Sequence, residues 1–488
     1  MSQTIVPPIA ASATTRPLCV DLDGTLVKSD TLLDSVLVLA RSHPAKIFKL
    51  PLWLLRGRAA LKAKLTGSVA LDVAHLPYNR QVLAFLESEH AMGRKLYLAT
   101  GADQVLARRI AAHLGIFEDV LASDGGTNLT AHRKLDSLRR RFGDGQFDYI
   151  GNARPDLPLL AHASEAMIAN PGPAMRALLR SRHITIAREF RDTPSNPKVL
   201  AKAVRLHQWT KNVLMFVPVL LAHDLSFSKV SSALTAFFSL SLFASAAYIV
   251  NDLLDIDADR RHARKRYRPF ASGDLSPLAG LGIVALFFIL SLAAAQFLPR
   301  IFLAWLVGYL CTSLLYSFLL KRIVLVDVIV LAGLYTLRMM AGGAATGTPI
   351  SHWLVGFSAF LFLSLAMVKR YSELENNRAS GTTPLNGRGY LLGDIDQLRS
   401  FGTSSAYASV VVFGIYISAH DVEDHYAHPE RLWLVAPLMI LWLSRIWLLA
   451  SRGQLDEDPV VFALTDRMSL LIGVAVVVIV LFALVNRF

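Results

Sequence analysis

Two hydrophobic patterns divide the chain. Up to about residue 180 the apolar runs are short, and each ends in a polar, glycine-containing turn. PLCV (17–20) runs into Asp21, Asp23, Gly24 and Thr25, and KLYLATGA (95–102) ends around Thr100. FDYIGNARPDLPLL reads as a strand followed by Asn152 and Asp156. Short strands alternating with helical stretches predict an α/β domain over 17–180, with a helical insert at about 28–90 forming a cap. Residues 1–16, rich in Ser, Thr and Pro, are expected to be disordered, and 181–205, with Pro194 and Pro197, to be a linker and approach helix. Beyond 205 the apolar stretches lengthen to what a bilayer requires. Spans are expected at 205–223, 231–250, 277–297, 301–319, 323–344, 352–368, 403–419, 432–449 and 468–486, an all-α polytopic membrane domain of about nine helices over 206–488. KIFKLPLWLLRGRAALKAKL, inside the cap, is too short and too charged to span. Its expected place is against the domain core, with a position on the membrane interface as the alternative.

Composition agrees: 53% of the 488 residues are hydrophobic, in a chain whose net charge is +13. The basic residues cluster beside apolar spans, which points to anionic lipid and phosphate partners rather than nucleic acid. Two cysteines, Cys19 and Cys311, form no disulfide framework or zinc motif and fit a reducing compartment. Connections on one side of the spans carry the Arg and Lys of 260–268, 321–322, 369–399 and 452. The other side holds only Lys229, Arg300, Arg431 and Arg487. The basic side is expected to be cytoplasmic, in a bacterial inner membrane, and to hold the α/β domain. The sequence sets no oligomeric state.

The densest chemistry lies in NDLLDIDADRRHARKRYRP (251–269), directly after an apolar run. In a helix, Asp252, Asp255 and Asp259 share one face at i, i+3 and i+7, Asn251 joins them, and Asp257 points away. Carboxylates so placed repel unless a cation holds them, and Mg²⁺ shared with substrate phosphates suits hard oxygen ligands. Arg264, Lys265, Arg266 and Arg268 then clamp phosphate oxygens. The plainer alternative is a solvated charged loop. A second polar face follows the sixth span, where Lys369, Glu373 and Asn377 recur every four residues; simple snorkelling anchors are its plain alternative. Two such faces on one side are expected to wall one cavity.

At the N-terminus, Asp21 and Asp23 stand two apart at a strand end opening into a glycine turn, which suits a nucleophile with a neighbouring acid/base. With Thr100, Lys134 before a helix, and Asn152 with Asp156, this order of motifs resembles the haloacid dehalogenase (HAD) superfamily of phosphohydrolases over about 17–180. The resemblance implies a Rossmannoid fold. Asp21 would attack phosphorus, Asp23 would protonate the leaving group and then activate water, and Thr100 and Lys134 would bind phosphoryl oxygens. Mg²⁺ would lie between Asp21, the Asp23 carbonyl and the last motif, Asn152 and Asp156. The family usually has Gly-Asp where this chain reads Gly151-Asn152, so one metal ligand is neutral and a folded, inactive domain is the alternative.

From about 200 to the end, the Asn251-Asp252-x-x-Asp255-x-x-x-Asp259 motif and the span layout resemble the UbiA superfamily of intramembrane prenyltransferases. The second family motif normally holds two aspartates, and here Glu373 and Asn377 take those positions, behind Lys369 and Arg370. RLHQWTKN, KRYSEL, GRGY and DEDPVVFALTDRMS look like its decaprenyl-phosphate phosphoribosyltransferase branch. That implies phosphoribosyl pyrophosphate as donor and a polyprenyl phosphate as acceptor. Mg²⁺ would sit on Asp252, Asp255 and Asp259, phosphates on Lys211, Lys265, Arg266, Arg268, Lys369 and Arg370, and Asn251 and Glu373 would also bind substrate. Two other readings stay open: prenyl transfer from a polyprenyl diphosphate to an aromatic quinone precursor, and a regulatory module on a transporter.

Overall fold

The computed structural model describes residues 16–194, 197–379, 388–418, 426–455 and 458–484. Most of the expected disordered N-terminus, and Gly387, Asp456 and Glu457 of the quoted motifs, lie outside them. The chain divides into two compact units, one of 1–204 with 248–284 and one of 205–247 with 285–488.

In the first unit, six parallel strands form one sheet in the order β3-β2-β1-β4-β5-β6. They are β1 Leu18–Val20, β2 Leu96–Asp103, β3 Asp119–Ser123, β4 Asp148–Gly151, β5 Ala166–Ala169 and β6 Ile186–Phe190. Alternation along β1 puts Leu18 and Val20 in one apolar cluster and Cys19 in the other, so both sheet faces are covered. β1 is central and pairs with β2 and β4, leaving Asp21 at its carboxyl end, where doubly wound sheets place their sites. This is the doubly wound, Rossmannoid α/β architecture expected for the N-terminal part. The sheet continues into β6, inside the stretch expected as linker: pairing with β5 and burial of Phe190 hold a segment whose charges and prolines read as loop.

The cap consists of the helix Thr31–Ser42, a 3-10 stretch Pro44–Lys49 and the helices Leu50–Leu55 and Arg58–Thr66. Only part of the apolar run expected to pack on the core does so. Ala59 and Leu65 are buried, whereas no residue of Pro44–Leu55 is.

Eight helices among the described residues are long and apolar enough to cross a membrane. The first expected span differs. Residues Leu206–Phe216 form a 3-10 helix, followed by a short α-helix, Val217–Leu221. Pro218 removes one backbone donor, and the polar side chains of this stretch turn to neighbours: Trp209 Nε1 donates to Ser245 (2.9 Å) and Asn212 Nδ2 to Ser241 (2.8 Å). The stretch lies so close to the helix Val326–Thr346 that a Cβ on Gly342 would stand 2.1 Å from the Met215 carbonyl oxygen. Small residues allow such approaches in membrane bundles.

Candidate active sites

In the first unit, the backbone N–H of Asp21 donates to the Ile150 carbonyl (3.0 Å), tying the end of β1 to β4. Lys134, at the start of the helix His132–Phe142, places Nζ 2.9 Å from Asp21 Oδ1, 2.9 Å from the Tyr149 hydroxyl and 3.3 Å from Asp156 Oδ1. Tyr149 donates to Asp156 Oδ1 at 2.8 Å, and Asp156 Oδ2 accepts the Asn152 and Ala153 N–H groups. The Asn152 side chain lies against the Asp21–Thr25 turn: a Cβ on Gly24, whose φ is +75°, would meet its Nδ2 at 1.9 Å. Asp21, Lys134, Asn152 and Asp156 therefore come together as their order along the chain implied. Thr100 is buried in β2, its hydroxyl accepting the Ala102 N–H at 3.0 Å.

Burial pushes the Asp21 carboxyl up to about 6 against the pull of Lys134, with Asp156 adding to the rise. Burial, helped by Asp30, pushes Asp23 up to about 7, although Asp23 accepts the Thr31 N–H at 2.8 Å. A carboxyl poised near neutrality suits alternate donation and acceptance of a proton. Burial works against the Lys134 ammonium, but Asp21 and Asp156 outweigh it and its pKa rises. One residue escaped the sequence reading. Lys62, from the cap helix Arg58–Thr66, reaches the Gly101 carbonyl (2.5 Å) and Asn128 (2.9 Å) and lines a small cleft with Asp23, Thr31 and Asp103.

Two carboxylates share one ammonium here, so negative charge is left over among oxygen donors. Mg²⁺ fits that set. Among the described residues no three His, Cys, Asp or Glu side chains gather into a metal cage. A metal would complete its shell from the Asn152 amide oxygen, the Asp23 carbonyl, water and substrate oxygens, which is the habit of Mg²⁺.

The Asp-rich stretch also belongs to the first unit. Asp252 and Asp259 converge on Arg268, whose Nη1 lies 3.0 and 2.7 Å from their oxygens. Asp255 takes other partners, although i→i−4 backbone bonds join its N–H to the Asn251 carbonyl (2.9 Å) and its carbonyl to the Asp259 N–H (2.8 Å). The helix Phe227–Leu254 ends just before it and a short helix starts at Ile256, and the Asp255 carboxylate lies on Arg41 (3.3 Å) and on Asn251 (3.2 Å), its i−4 neighbour. Arg268, expected on substrate phosphate, here braces the two aspartates. Arg266 donates to the Tyr267 hydroxyl at 2.8 Å, and Lys265 is exposed. Burial raises the Asp259 pKa against Arg268, so one guanidinium does not fully compensate the pair, and Mg²⁺ fits Asp252 and Asp259 on the same charge argument.

The contact that sequence reasoning missed here is Arg260. It is buried, with Nη1 on Asp34 (2.8 Å), Nη2 on Ser29 (3.1 Å) and Nε on the Ala271 carbonyl (3.3 Å). Lys28 pairs with Asp274 at 3.0 Å beside it. The loop between the two apolar helices is thereby fastened to the segment that carries Asp23.

The second unit holds Lys211, Lys369, Arg370 and Glu373. Lys211 and Lys369 meet on Asp458 Oδ2, at 2.7 and 2.8 Å, and Tyr335 donates to Asp458 Oδ1 at 3.1 Å. Burial works against the Asp458 carboxylate, but the two lysines outweigh it and hold it well below the usual range. Asp458 falls in a quoted motif, yet only its partners, far off in sequence, reveal its role. Arg370, expected to bind phosphate, is fully buried. It pairs with both oxygens of Asp327, donates to Tyr316 (2.9 Å) and shares Glu373 with Arg388, both at 2.7 Å. Arg338 similarly links Asn212 (2.9 Å) to Tyr309 (3.0 Å).

Residues 213–471 match the UbiA prenyltransferase family. The chain belongs to that family. With eight apolar helices as well, it is an integral membrane protein. Over 461 residues, 94% of the chain, it is 38% identical to the uncharacterised protein y4nM of Sinorhizobium fredii, covering 89% of that protein. The decaprenyl-phosphate phosphoribosyltransferase of Mycobacterium tuberculosis is 33% identical over 284 residues, 57% of this chain and 91% of that one. Among solved structures, a HAD family hydrolase of Salmonella enterica aligns at a TM-score of 0.26 with 16% identity, covering 36% of this chain and 66% of that one. The chain is thus a UbiA-family membrane protein whose N-terminal part is a parallel α/β domain.

Proposed function

We propose that the chain transfers 5-phosphoribose from phosphoribosyl pyrophosphate to a polyprenyl phosphate, and that the HAD-like domain then removes the 5-phosphate. The observation carrying this is the similarity to decaprenyl-phosphate phosphoribosyltransferase along nearly that enzyme's whole length. The orientation with both sets of site residues cytoplasmic, and the division into 17–180 and 206–488 around a linker, belong to the same proposal.

In the first reaction a lipid phosphate oxygen attacks ribose C1 as the C1–O bond to pyrophosphate breaks, and pyrophosphate leaves with the electron pair. Asp252 and Asp259 would hold Mg²⁺, which when bound neutralises the leaving group. Asp255 steadies the motif through Arg41. Lys211 and Lys369 present ammonium groups to phosphate from their shared anchor on Asp458. Preorganised charge of this kind in a partly dry site is commonly the largest catalytic contribution.

In the second reaction the Asp21 carboxylate attacks the 5-phosphorus and the ester bond breaks. Asp23 gives its proton to the departing oxygen, then takes one from the water that opens the aspartyl-phosphate. Lys134 and Thr100 hold phosphoryl oxygens. Asp21, the Asp23 carbonyl, Asn152 and Asp156 would hold the Mg²⁺ that shields phosphoryl charge. Fusion raises the effective concentration of the first product at the second site without new contacts.

The experiment incubates purified chain with Mg²⁺, ribose-labelled phosphoribosyl pyrophosphate and a polyprenyl monophosphate, beside Asp252→Asn. Label should enter the organic phase with the wild type alone. No label in lipid, with prenylation of an aromatic acceptor from a polyprenyl diphosphate, would move the chain to the other branch of its family.

A further inference from the structure

The cap segment Pro44–Leu55 takes part in neither site. Phe48 is 87% exposed, Leu55 85%, Leu52 53% and Leu54 51%. Leu52 and Leu55 stand at i and i+3 on one face of the helix Leu50–Leu55, and Phe48 precedes them in the 3-10 stretch. A contiguous exposed apolar face of this kind marks an interaction surface. Its surroundings select the partner. From 35 to 71 the chain has no Asp or Glu but carries Arg41, Lys46, Lys49, Arg56, Arg58, Lys62 and Lys64. Arg41, three residues before the segment, pairs at 3.3 Å with Asp255, the residue directly after the apolar span Phe227–Leu254. The segment therefore starts beside the end of a membrane helix, within one compact unit.

We infer that Pro44–Leu55 lies in the lipid–water interface of the membrane that the chain itself spans. Phe48, Leu52 and Leu55 enter the acyl boundary, and Lys46, Lys49, Arg56 and Arg58 face anionic headgroups. Short apolar faces flanked by basic residues bind bilayers in this way, through buried apolar area and attraction to anionic lipid. Where the proposed second reaction holds, such a cap would let a lipid-linked phosphate be handled without leaving the bilayer.

The test uses the full chain with Cys311→Ser, Cys19 being buried. An environment-sensitive fluorophore is placed at Leu55→Cys or, as control, at exposed Asp144→Cys. Each protein is reconstituted at one chain per nanodisc with spin-labelled lipid as quencher. Quenching at 55 should exceed that at 144 by about threefold or more, and should rise with phosphatidylglycerol. Replacing Lys46, Lys49, Arg56 and Arg58 with Gln should remove the phosphatidylglycerol dependence. Equal quenching at both positions would overturn the inference. So would a fluorophore at 55 that escapes the lipid quencher and shifts its emission only when two chains share a disc, which would make this face a contact between copies.

Discussion

Arg260→Ala removes the cation from a buried pair in which the Arg260 side chain is 3% exposed and that of Asp34 is fully buried. Three hydrogen bonds go with it, to Asp34, Ser29 and the Ala271 carbonyl. Asp34 keeps only the Ser29 hydroxyl at 2.7 Å. Breaking a buried pair on one side costs about 3–5 kcal/mol, because a desolvated charge is left uncompensated. For a unit of this size about 1 kcal/mol moves the midpoint by about 2–4 °C, so unfolding of the first unit should come roughly 6–20 °C earlier. The buried thiol of Cys19 reports that unfolding in a Cys311→Ser background, as reactivity toward a thiol reagent during a thermal ramp. Arg260→Met with Asp34→Leu should recover most of the loss, since the apolar pair needs no desolvation. Phosphatase turnover should fall as well, because Ser29 and Thr31 hold the turn that carries Asp23. A loss below about 1 kcal/mol, the range of an exposed pair, would refute the reasoning.

Four further outcomes are expected. Lys134→Met should cut phosphomonoester hydrolysis about a hundredfold or more while leaving label transfer to lipid intact; an unchanged hydrolysis rate would remove Lys134 from the site. With the Asp-rich motif silenced by Asp252→Asn and Asp259→Asn, Mg²⁺ binding followed by calorimetry should weaken about tenfold per pH unit below about 6. The sign follows from the raised Asp21 pKa: the carboxyl is protonated below it and must release that proton to bind the ion. Asn152→Asp should tighten Mg²⁺ in the same titration, and no change would show that the Asn152 amide is not a ligand. Asp458→Asn leaves Lys211 and Lys369 without their shared counter-charge, so transferase kcat/KM should fall at least about tenfold, about 1.4 kcal/mol; unaltered kinetics would refute that anchor.

Local signals carried much of this into the sequence. A strand end followed by Asp21, Asp23 and a glycine turn is legible because β1 is short, central and buried, and the spans are legible because a bilayer fixes their length. What escaped depends on distant pairing. Arg260 and Asp34 lie 226 positions apart, and Lys211 and Asp458 lie 247 apart. No periodicity connects such residues. Asp255 was placed by helical register with Asp252 and Asp259, and register does not show that its carboxylate pairs with Arg41, 214 positions away. Arg370 and Arg268 read as phosphate ligands because a free-standing basic residue in sequence shows its charge and not its counter-ion. The apolar cap run was expected on the core because hydrophobicity signals burial without saying against what. Asp255 and Arg41, close in the fold, suggest lipid instead.

The most direct measurement supplies donor carrying a carbon label in the ribose and a phosphorus label in the 5-phosphate, with polyprenyl phosphate and Mg²⁺. Wild type should move the carbon label into lipid and release the phosphorus label as inorganic phosphate. Asp21→Asn should leave both labels in lipid, and Asp252→Asn should leave both in the aqueous phase. Neither label in lipid with any of the three proteins would contradict the phosphoribosyl transfer. Both labels remaining in wild-type lipid would contradict the phosphatase step alone.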